Sequence, residues 1–416
     1  MGGDSVVNWE SEMTSSTPAS RDGQPPDTRD FSVVMGGPLF QLLRRAHLTD
    51  DALLLVRQRI VVISLFAWLP LLVLSVLEGH FLAGSVPVPF LRDFEVHVRF
   101  LVAIPLLVGA ELLVHGRMRP LAKQFLERRL VPDGAMPRFD AAIASAARLR
   151  NSVIAEVLLI AFVYGVGVLV IWRHNVALDS VSWYATPSST GGLQLSLAGR
   201  WYGYVSLPIF QFLLIRWYFR IVIWARFLWQ VSRIRLNLVP THPDRVGGLG
   251  FLAILTSAFV PLALAHGALL AGQIADRIFF LKAGLPGFKA EIAVMVVFML
   301  LLALGPLLLF AGQLAKVKRT GLLEYGALAQ RYVRGFEDKW LRDGAPADEP
   351  LVGSGDIQSL ADLGTGYEVV RTMRAAPITK DAILQVVAAT LVPVAPLALT
   401  MMPLEQLLKK LAGVLF

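Results

Sequence analysis

Seven stretches of apolar residues recur along the chain, and the segments between them hold most of the charges. Each stretch approaches or exceeds the length of about 20 helical residues that crosses a bilayer. The stretches cover residues 60–77, 98–114, 153–171, 202–224, 249–272, 292–314 and 382–402. The second is the weakest, because it contains Pro105 and Glu111. The pattern predicts an all-α integral membrane protein, a bundle of about seven transmembrane helices.

The positive charges alternate between the connecting segments, as they do when they set the orientation of a membrane protein. Of the 39 Lys and Arg residues, 28 lie before the first stretch or in the second, fourth and sixth connections. Nine lie in the other connections and the C-terminal tail, if Arg99 at the edge of the second stretch is counted with the first connection, and the last two, Arg216 and Arg220, lie inside the fourth stretch. Because Lys and Arg accumulate on the cytoplasmic side, the count predicts a cytoplasmic N-terminus and a C-terminus outside.

Composition indicates the same class of protein. Hydrophobic residues make up 55% of the chain and charged residues 17%, whereas soluble domains carry about 25% charged residues. This excludes a disordered, collagen-like or disulfide-rich protein as the overall class. The net charge of +8 suits loops that face anionic lipid, so the lipid bilayer is the expected partner and nucleic acid is not. The absence of cysteine excludes thiolate nucleophiles and Cys-based metal sites.

The segments outside the apolar stretches divide the chain into four regions. Residues 1–40 are polar and typical of a disordered cytoplasmic N-terminal tail, and residues 41–315 form a six-helix membrane region. Residues 316–381 form a helical cytoplasmic loop, in which 322–342 has the apolar spacing of an amphipathic helix and Asp356 is expected to cap a short helix over 357–363. Residues 382–416 hold the seventh transmembrane helix and an interfacial C-terminal helix over 404–416. The bundle therefore carries a partly helical layer of cytoplasmic loops.

Four charged side chains fall inside or at the edge of the apolar stretches, where an ionisable group costs about 2.5–3.5 kcal/mol on insertion scales. They are Glu111, Glu156, Arg216 and Arg220, all expected in the cytoplasmic half of the bundle. Arg216 and Arg220 are four residues apart and share a helix face. One interpretation is a path for ions or protons, or an anionic-ligand site. The other is a structural cluster of interhelical salt bridges, or side chains that reach the nearby interface.

Residues 241–250 read Thr-His-Pro-Asp-Arg-Val-Gly-Gly-Leu-Gly and precede the fifth stretch on the cytoplasmic side. Free amides at a helix N-terminus, beside an arginine, predict an anion or phosphate site. The candidate residues are His242, Asp244, Arg245, Gly247, Gly248 and Gly250. The alternative is a tight turn in which Asp244 or His242 binds the backbone and the glycines pack against a neighbour.

Four histidines, His80, His97, His174 and His266, are expected on the outer side, where imidazoles from several helices can ligate haem or a metal. No helix carries a close His pair, a Glu-x-x-His motif or a His-Glu-x-x-His motif. Hydrogen-bonding roles are therefore favoured, and neither a metal site nor a cofactor is predicted. Phosphate-binding loops and nucleophile elbows are also missing from the sequence, so the protein is predicted not to be an enzyme.

Two segments in combination resemble a group of bacterial multi-pass inner-membrane proteins. The first is residues 242–250, His-Pro-Asp-Arg-Val-Gly-Gly-Leu-Gly, and the second is residues 356–364, Asp-Ile-Gln-Ser-Leu-Ala-Asp-Leu-Gly, continued by Tyr-Glu-Val-Val-Arg-Thr-Met-Arg at 367–374. They cover a small part of the chain. The resemblance implies a location in the bacterial inner (plasma) membrane and a folded cytoplasmic loop, and it brings no assigned activity with it.

Three functional hypotheses follow from these patterns. The first is a channel or transporter for an ion or small solute, with Glu111, Glu156 and Arg216 along the path and the 242–250 segment at its cytoplasmic mouth. The alternative is a non-catalytic sensor or assembly subunit that binds a cytoplasmic protein through the helices of residues 316–381. The third is a membrane enzyme or haem protein that uses the outer histidines. The identity of the substrate and the formation of a homo-oligomer stay open at this point.

Overall fold

The computed structural model describes residues 36, 55–82, 84, 86–172, 181–187, 193–342 and 350–400, which are almost entirely helical. The longer helices, in chain order, are α1 (Val56–Leu77), α2 (Phe94–Glu127), α3 (Met136–Arg150), α4 (Val153–Phe162), α5 (Leu197–Ser232), α6 (Phe251–Leu281), α7 (Lys289–Leu304), α8 (Ala311–Glu337), α9 (Gly355–Arg371) and α10 (Lys380–Leu391). A short antiparallel hairpin of β1 (Ala185–Pro187) and β2 (Leu193–Leu195) precedes α5, with Thr186 opposite Gln194.

Tighter and wider helical turns interrupt or connect these helices. The π-helical segments are Arg99–Ala103 inside α2, Val163–Trp172 after α4, Tyr202–Ser206 inside α5 and Asp338–Arg342 after α8. The 3₁₀ segments are Phe90–Arg92, Asp133–Ala135, Leu255–Phe259 inside α6, Leu285–Phe288, Gly305–Phe310 and Ala395–Thr400. As a result, the chain runs from Leu285 to Arg342 as one helical stretch that includes α7 and α8.

Short polar side chains determine where several helices begin. In each case the side-chain oxygen accepts a hydrogen bond from the amide three residues later, over 2.9–3.2 Å. These N-cap residues are Asp93 for α2, Ser152 for α4, Ser196 for α5 and Thr379 for α10. Such caps satisfy amides that the first helical turn leaves without intrahelical partners.

The expectation that Asp356 caps a helix over 357–363 is wrong. The cap is Ser354, whose Oγ accepts from the amide of Asp356 at 3.1 Å, and the helix extends over Gly355–Arg371. The Asp356 carboxylate instead accepts hydrogen bonds from Lys339 Nζ at 2.8 Å and Trp340 Nε1 at 3.0 Å. These charge-assisted bonds to the end of the preceding helix outcompete a local cap.

Among the residues that the structure describes, five helical runs are long and apolar enough to cross a membrane: α1, α2, α5, α6 and Leu285–Arg342. A sixth is added if Asp133–Arg150 and Val153–Leu169 count as one span, bent by 48°. These runs match the first six predicted stretches. Their outward faces are apolar, since Ile154, Leu158, Val294 and Leu301 are 63–74% exposed, as expected for surfaces in contact with lipid. Five or six membrane-competent helices in an all-α fold are thus observed, against about seven predicted.

Residues 382–400 of the seventh predicted stretch, 382–402, form a broken helix. α10 ends at Leu391, and after Pro393 the 3₁₀ segment Ala395–Thr400 continues the chain. α10 packs against α6 and α7, and a Cβ atom on Gly267 of α6 would overlap the backbone of Thr390. Residues 401 and 402 lie outside the described residues, as does the predicted C-terminal helix. Of the predicted N-terminal tail, only residue 36 is described.

The predicted helical loop of residues 316–381 contains most of α8 and all of α9, which pack against each other. The predicted amphipathic helix over 322–342 lies within α8 and the π-helical segment that follows it. Gly321 of α8 allows close approach, because a Cβ atom there would lie 2.8 Å from Pro240 and 3.1 Å from Val370. Lys318 Nζ also donates to the carbonyl of Met373 at 2.8 Å. These contacts attach the α8–α9 pair to the end of the bundle.

Candidate functional site

Five charged side chains from four helices meet inside the bundle. The structure brings together all four residues predicted for this cluster and adds Arg59 of α1. Glu111 belongs to α2, Glu156 to α4, and Arg216 and Arg220 to α5. Their side chains are only 3–10% exposed. We refer to these five residues as the charge cluster.

Glu111 is the centre of the charge cluster. Its Oε1 atom lies 2.7 Å from Arg220 Nη1 and 3.6 Å from Arg216 Nη1. Its Oε2 atom accepts a hydrogen bond from Arg59 Nη2. Arg216 extends the network, because its Nη2 atom lies 3.3 Å from Oε1 of Glu156. One guanidinium therefore joins the two carboxylates.

The helical period and one tryptophan orient the arginines of α5. Arg216 and Arg220 are four residues apart, so both point to the same neighbour. Trp217 is almost fully buried, and its Nε1 donates to the carbonyl of Leu107 at 2.8 Å. This bond fixes α5 against α2 one turn away from Glu111, and the arginines then reach its carboxylate.

The other two members of the charge cluster lie at helix starts. Glu156 is in the first turn of α4, just after the cap residue Ser152, where the positive end of the helix favours an acidic side chain. Arg59 is in the first turn of α1, which begins at Val56. Arg59 is not among the residues singled out from the sequence, because the predicted span begins one residue later. Its position directly before an uninterrupted apolar run is the signal that could have identified it.

The charge cluster contains more positive than negative charge. Arg59, Arg216 and Arg220 face Glu111 and Glu156, so the five side chains carry a formal charge of +1. Buried charges are tolerated when they are paired and hydrogen-bonded. The network meets that requirement for the carboxylates, whereas one more anion would complete the neutralisation of the arginines.

A cavity of about 710 Å³ lies next to the charge cluster, between α1, α2, α4 and α5. Of its 17 lining residues, four are charged, namely Arg59, Glu111, Glu156 and Arg216. The other lining residues are apolar except for Tyr164. Tyr164 and Pro208 are each eight residues from a cluster member on the same helical run, which places them about 12 Å away at 1.5 Å per residue. The cavity is therefore polar at one end and apolar along its length.

The cavity opens on the side of the bundle. Phe66 of α1 and Val157 and Ile160 of α4 line it, and each of these residues is 46–57% exposed. They belong to the apolar outer surface of two membrane-competent helical runs. The opening of the cavity therefore lies on an apolar part of the outer surface, between α1 and α4.

The 242–250 segment is organised by Asp244. Its Oδ1 accepts hydrogen bonds from the amides of Val246 at 2.9 Å and Gly248 at 3.1 Å, and its Oδ2 accepts from Gly250 at 2.8 Å. Burial alone would raise the pKa of Asp244, but these donors and the nearby His242 ring hold that pKa below its usual value. The three amides are engaged within the loop, which is the geometry of the tight turn considered as the alternative to an anion site.

The same loop also contacts the segment that follows α9. Arg245, Gly247 and Gly248 all have positive φ angles, of 56°, 66° and 99°, so the glycines supply backbone shapes that other residues rarely adopt. Arg374 donates through its amide to the carbonyl of Arg245 at 2.8 Å and through its side chain to that of Asp244 at 3.0 Å. The two segments that carry the family resemblance are thus in direct contact.

Of the histidines considered as metal or haem ligands, His97 and His266 are engaged in hydrogen bonds, whereas the buried Nδ1 atom of His80 has no hydrogen-bond partner in the described part of the chain. His97 and His266 each have both ring nitrogens within 3.0 Å of a hydrogen-bond partner. His174 lies outside the described residues. In the part of the chain that the structure describes, no three His, Asp or Glu side chains are grouped so that they could hold a metal ion.

Neither models of protein families, nor curated proteins, nor solved structures match this chain. The resemblance to a group of bacterial inner-membrane proteins accordingly stays a prediction. Function is best argued from the chemistry of the site, since fold alone does not define it.

Proposed function

We propose that the protein is a transporter of the bacterial inner membrane and that its substrate binds in the cavity beside the charge cluster. The observation that carries this proposal is the juxtaposition of five buried charges with a cavity of about 710 Å³. Ionisable residues inside a membrane bundle are costly and commonly mark a substrate or ion path. The volume also falls in the range of about 300–1,000 Å³ that is typical of ligand pockets. A purely structural salt-bridge cluster requires no such cavity.

The proposal includes seven spans, with α10 and Ala395–Thr400 as a broken seventh. Leu397 packs against Leu270, Ile274 and Phe288, at the end of α6 that is remote from the 242–250 loop. α10 begins six residues after Arg374, which contacts that loop. The segment therefore connects opposite ends of α6, which supports a cytoplasmic N-terminus and a C-terminus outside.

The shape of the cavity favours a carrier over a channel. The opening lies between α1 and α4, on the side of the bundle, and the charged end lies inside. A substrate that binds there exchanges with the bilayer rather than with water along a central axis. The proposed activity involves binding and movement only, so it assigns no catalytic residue and no cofactor.

Transport by purified protein in liposomes tests the proposal. The panel comprises protons, alkali cations, chloride, phosphate and lipids labelled in the head group. Wild-type protein should move at least one of them, and Glu156→Gln should change the rate of that movement about tenfold or more, as a change of about 1.4 kcal/mol in substrate interaction would. Loss of this carboxylate should slow the movement of a cation or proton and speed the movement of an anion. Glu324→Gln, which removes an exposed carboxylate from α8, is the matched control and should behave as wild type. A folded wild-type protein that moves no member of the panel would contradict the proposal.

A sensor or assembly subunit is the second candidate function, and the α8–α9 pair favours it. Most of this pair follows the sixth apolar stretch, 292–314, and carries many charges. Even so, Leu323, Leu328 and Ile357 are 41–72% exposed. Exposed apolar residues on a soluble helix pair suit contact with a protein partner. Absence of transport, together with a stoichiometric soluble partner that Leu323→Asp releases, would favour this function over transport.

A further inference from the structure

We infer that the substrate is a membrane amphiphile with an anionic head group and at least one acyl chain. The inference rests on the proposed function, because it takes the cavity beside the charge cluster as the substrate site. It adds the chemical class of the substrate and its route of entry, which is sideways from the bilayer. Three features of the cavity carry it.

The first feature is the separation of polar and apolar lining. The charged residues occupy one end, and the walls beyond them include Ile63, Phe212 and Leu213. A small hydrated ion at the charged end would leave about 12 Å of apolar wall without a complementary partner, given the helical rise of 1.5 Å per residue. An acyl chain fills that length and keeps the walls away from water.

The second feature is the sign of the charge. The charge cluster sums to +1, and two of its arginines, Arg59 and Arg216, line the cavity. A negative charge on the head group would offset the excess positive charge of these five side chains, and paired charges are favoured where charges are removed from water. The planar guanidinium also matches carboxylate and phosphodiester oxygens, with which it forms paired hydrogen bonds. A cationic head group would instead add to the excess positive charge.

The third feature is the position of the opening. Phe66, Val157 and Ile160 form an apolar rim on the surface that faces lipid. An amphiphile in the bilayer can slide its chain between α1 and α4 without passing through water. A water-soluble anion would instead have to leave its hydration shell before it crossed that rim.

Lipid binding to the purified full chain in detergent, followed by native mass spectrometry, tests the inference. The probes are phosphatidylglycerol, which has a singly charged phosphodiester, and zwitterionic phosphatidylcholine with the same acyl chains. Phosphatidylglycerol should bind wild-type protein about tenfold more tightly, a difference of about 1.4 kcal/mol. Val157→Trp fills the opening without changing any charge and should weaken phosphatidylglycerol binding about tenfold. Leu158→Trp, on the same helix and outside the cavity lining, should leave that binding unchanged.

Arg216→Gln is a second variant, and Arg226→Gln, at an exposed position of α5, is its control. The Arg216 variant should lose the preference for phosphatidylglycerol, whereas the Arg226 variant should keep it. Equal binding of the two lipids by wild-type protein, or equal binding by the Val157 and Leu158 variants, would overturn the inference.

Transport and lipid binding can fail separately. Movement of a small ion that depends on Glu156, without a lipid preference, would overturn the amphiphile and leave the transport proposal intact. A lipid preference that depends on Val157 and Arg216, in protein that moves nothing, would support the binding site and contradict transport.

Discussion

The ion pair between Arg216 and Glu156 allows the energy of the charge cluster to be measured. Nη2 and Oε1 are 3.3 Å apart, and the side chains are 8% and 10% exposed. Removal of one partner from a buried pair leaves a charge without compensation and costs about 3–5 kcal/mol. Arg216 has a second carboxylate nearby, since Nη1 lies 3.6 Å from Oε1 of Glu111. Replacement of Arg216 should therefore lower the free energy of unfolding more than replacement of Glu156 does.

Arg216→Gln takes the guanidinium away from both Glu156 and Glu111, so we expect it to lower the free energy of unfolding by about 3–5 kcal/mol. Glu156→Gln leaves Arg216 beside Glu111, and its expected cost is about 1–3 kcal/mol. The double variant removes both charges of the pair. Its loss should be about 1–3 kcal/mol smaller than the sum of the single losses.

Equilibrium unfolding in detergent micelles, followed by the fluorescence of the nine tryptophans, supplies the four free energies of this cycle. The control pair is Arg277 and Glu291, whose charged atoms are 3.0 Å apart but whose side chains are about half exposed. Its cycle should give less than about 1 kcal/mol, because solvent screens exposed pairs. Two results would contradict this expectation. One is a loss in the double variant that equals the sum of the single losses at Arg216 and Glu156 to within about 0.5 kcal/mol, and the other is an equally strong coupling energy for the exposed pair.

Three further predictions concern the loop, the packing and the topology. Asp244→Asn should lower the free energy of unfolding by about 2–3 kcal/mol at neutral pH. Because the folded pKa of Asp244 is lowered, this contribution is present above the unfolded pKa of about 3.9 and is lost as pH falls through the folded pKa. In denaturant titrations, wild type and Asp244→Asn should therefore differ less in stability well below about pH 4 than at neutral pH. Gly267→Val should cost about 1–3 kcal/mol by thermal unfolding, because its Cβ meets the backbone of α10, whereas Gly312→Ala, with open space around it, should not destabilise. In spheroplasts, an impermeant maleimide should label Thr400→Cys and spare Ser359→Cys, with no native cysteine to interfere; the reverse would contradict the proposed orientation.

The membrane helices were predictable because apolar runs of span length have few other structural explanations. The charge cluster was partly predictable for a related reason, since Glu111, Arg216 and Arg220 interrupt such runs and must find partners. The helical period placed the two arginines on one face. Their meeting with Glu111 and Glu156 required tertiary packing, such as the bond from Trp217 to α2, which no local pattern contains.

Two kinds of feature were not predictable from the sequence: the choice among competing hydrogen-bond partners, and the spaces between helices. Asp244 and Asp356 are short acidic residues with several local donors within reach, and the sequence does not indicate which donors each one binds. The break in α10 follows from Pro393, but the contacts of Leu397 that connect it to the far end of α6 are tertiary. The cavity is a space between α1, α2, α4 and α5 that opens between α1 and α4. No periodicity of any one helix predicts it.

The most direct test of the account is the movement of fluorescent phosphatidylglycerol between leaflets of liposomes that contain the purified protein. An impermeant reductant bleaches the label that reaches the outer leaflet. Wild-type protein and Leu158→Trp should expose the inner-leaflet pool to bleaching, whereas Val157→Trp should leave that pool protected, as in liposomes without protein. Equal bleaching with Val157→Trp and Leu158→Trp, or wild-type protein that performs no better than empty liposomes, would contradict the claim that this cavity carries an anionic amphiphile across the membrane.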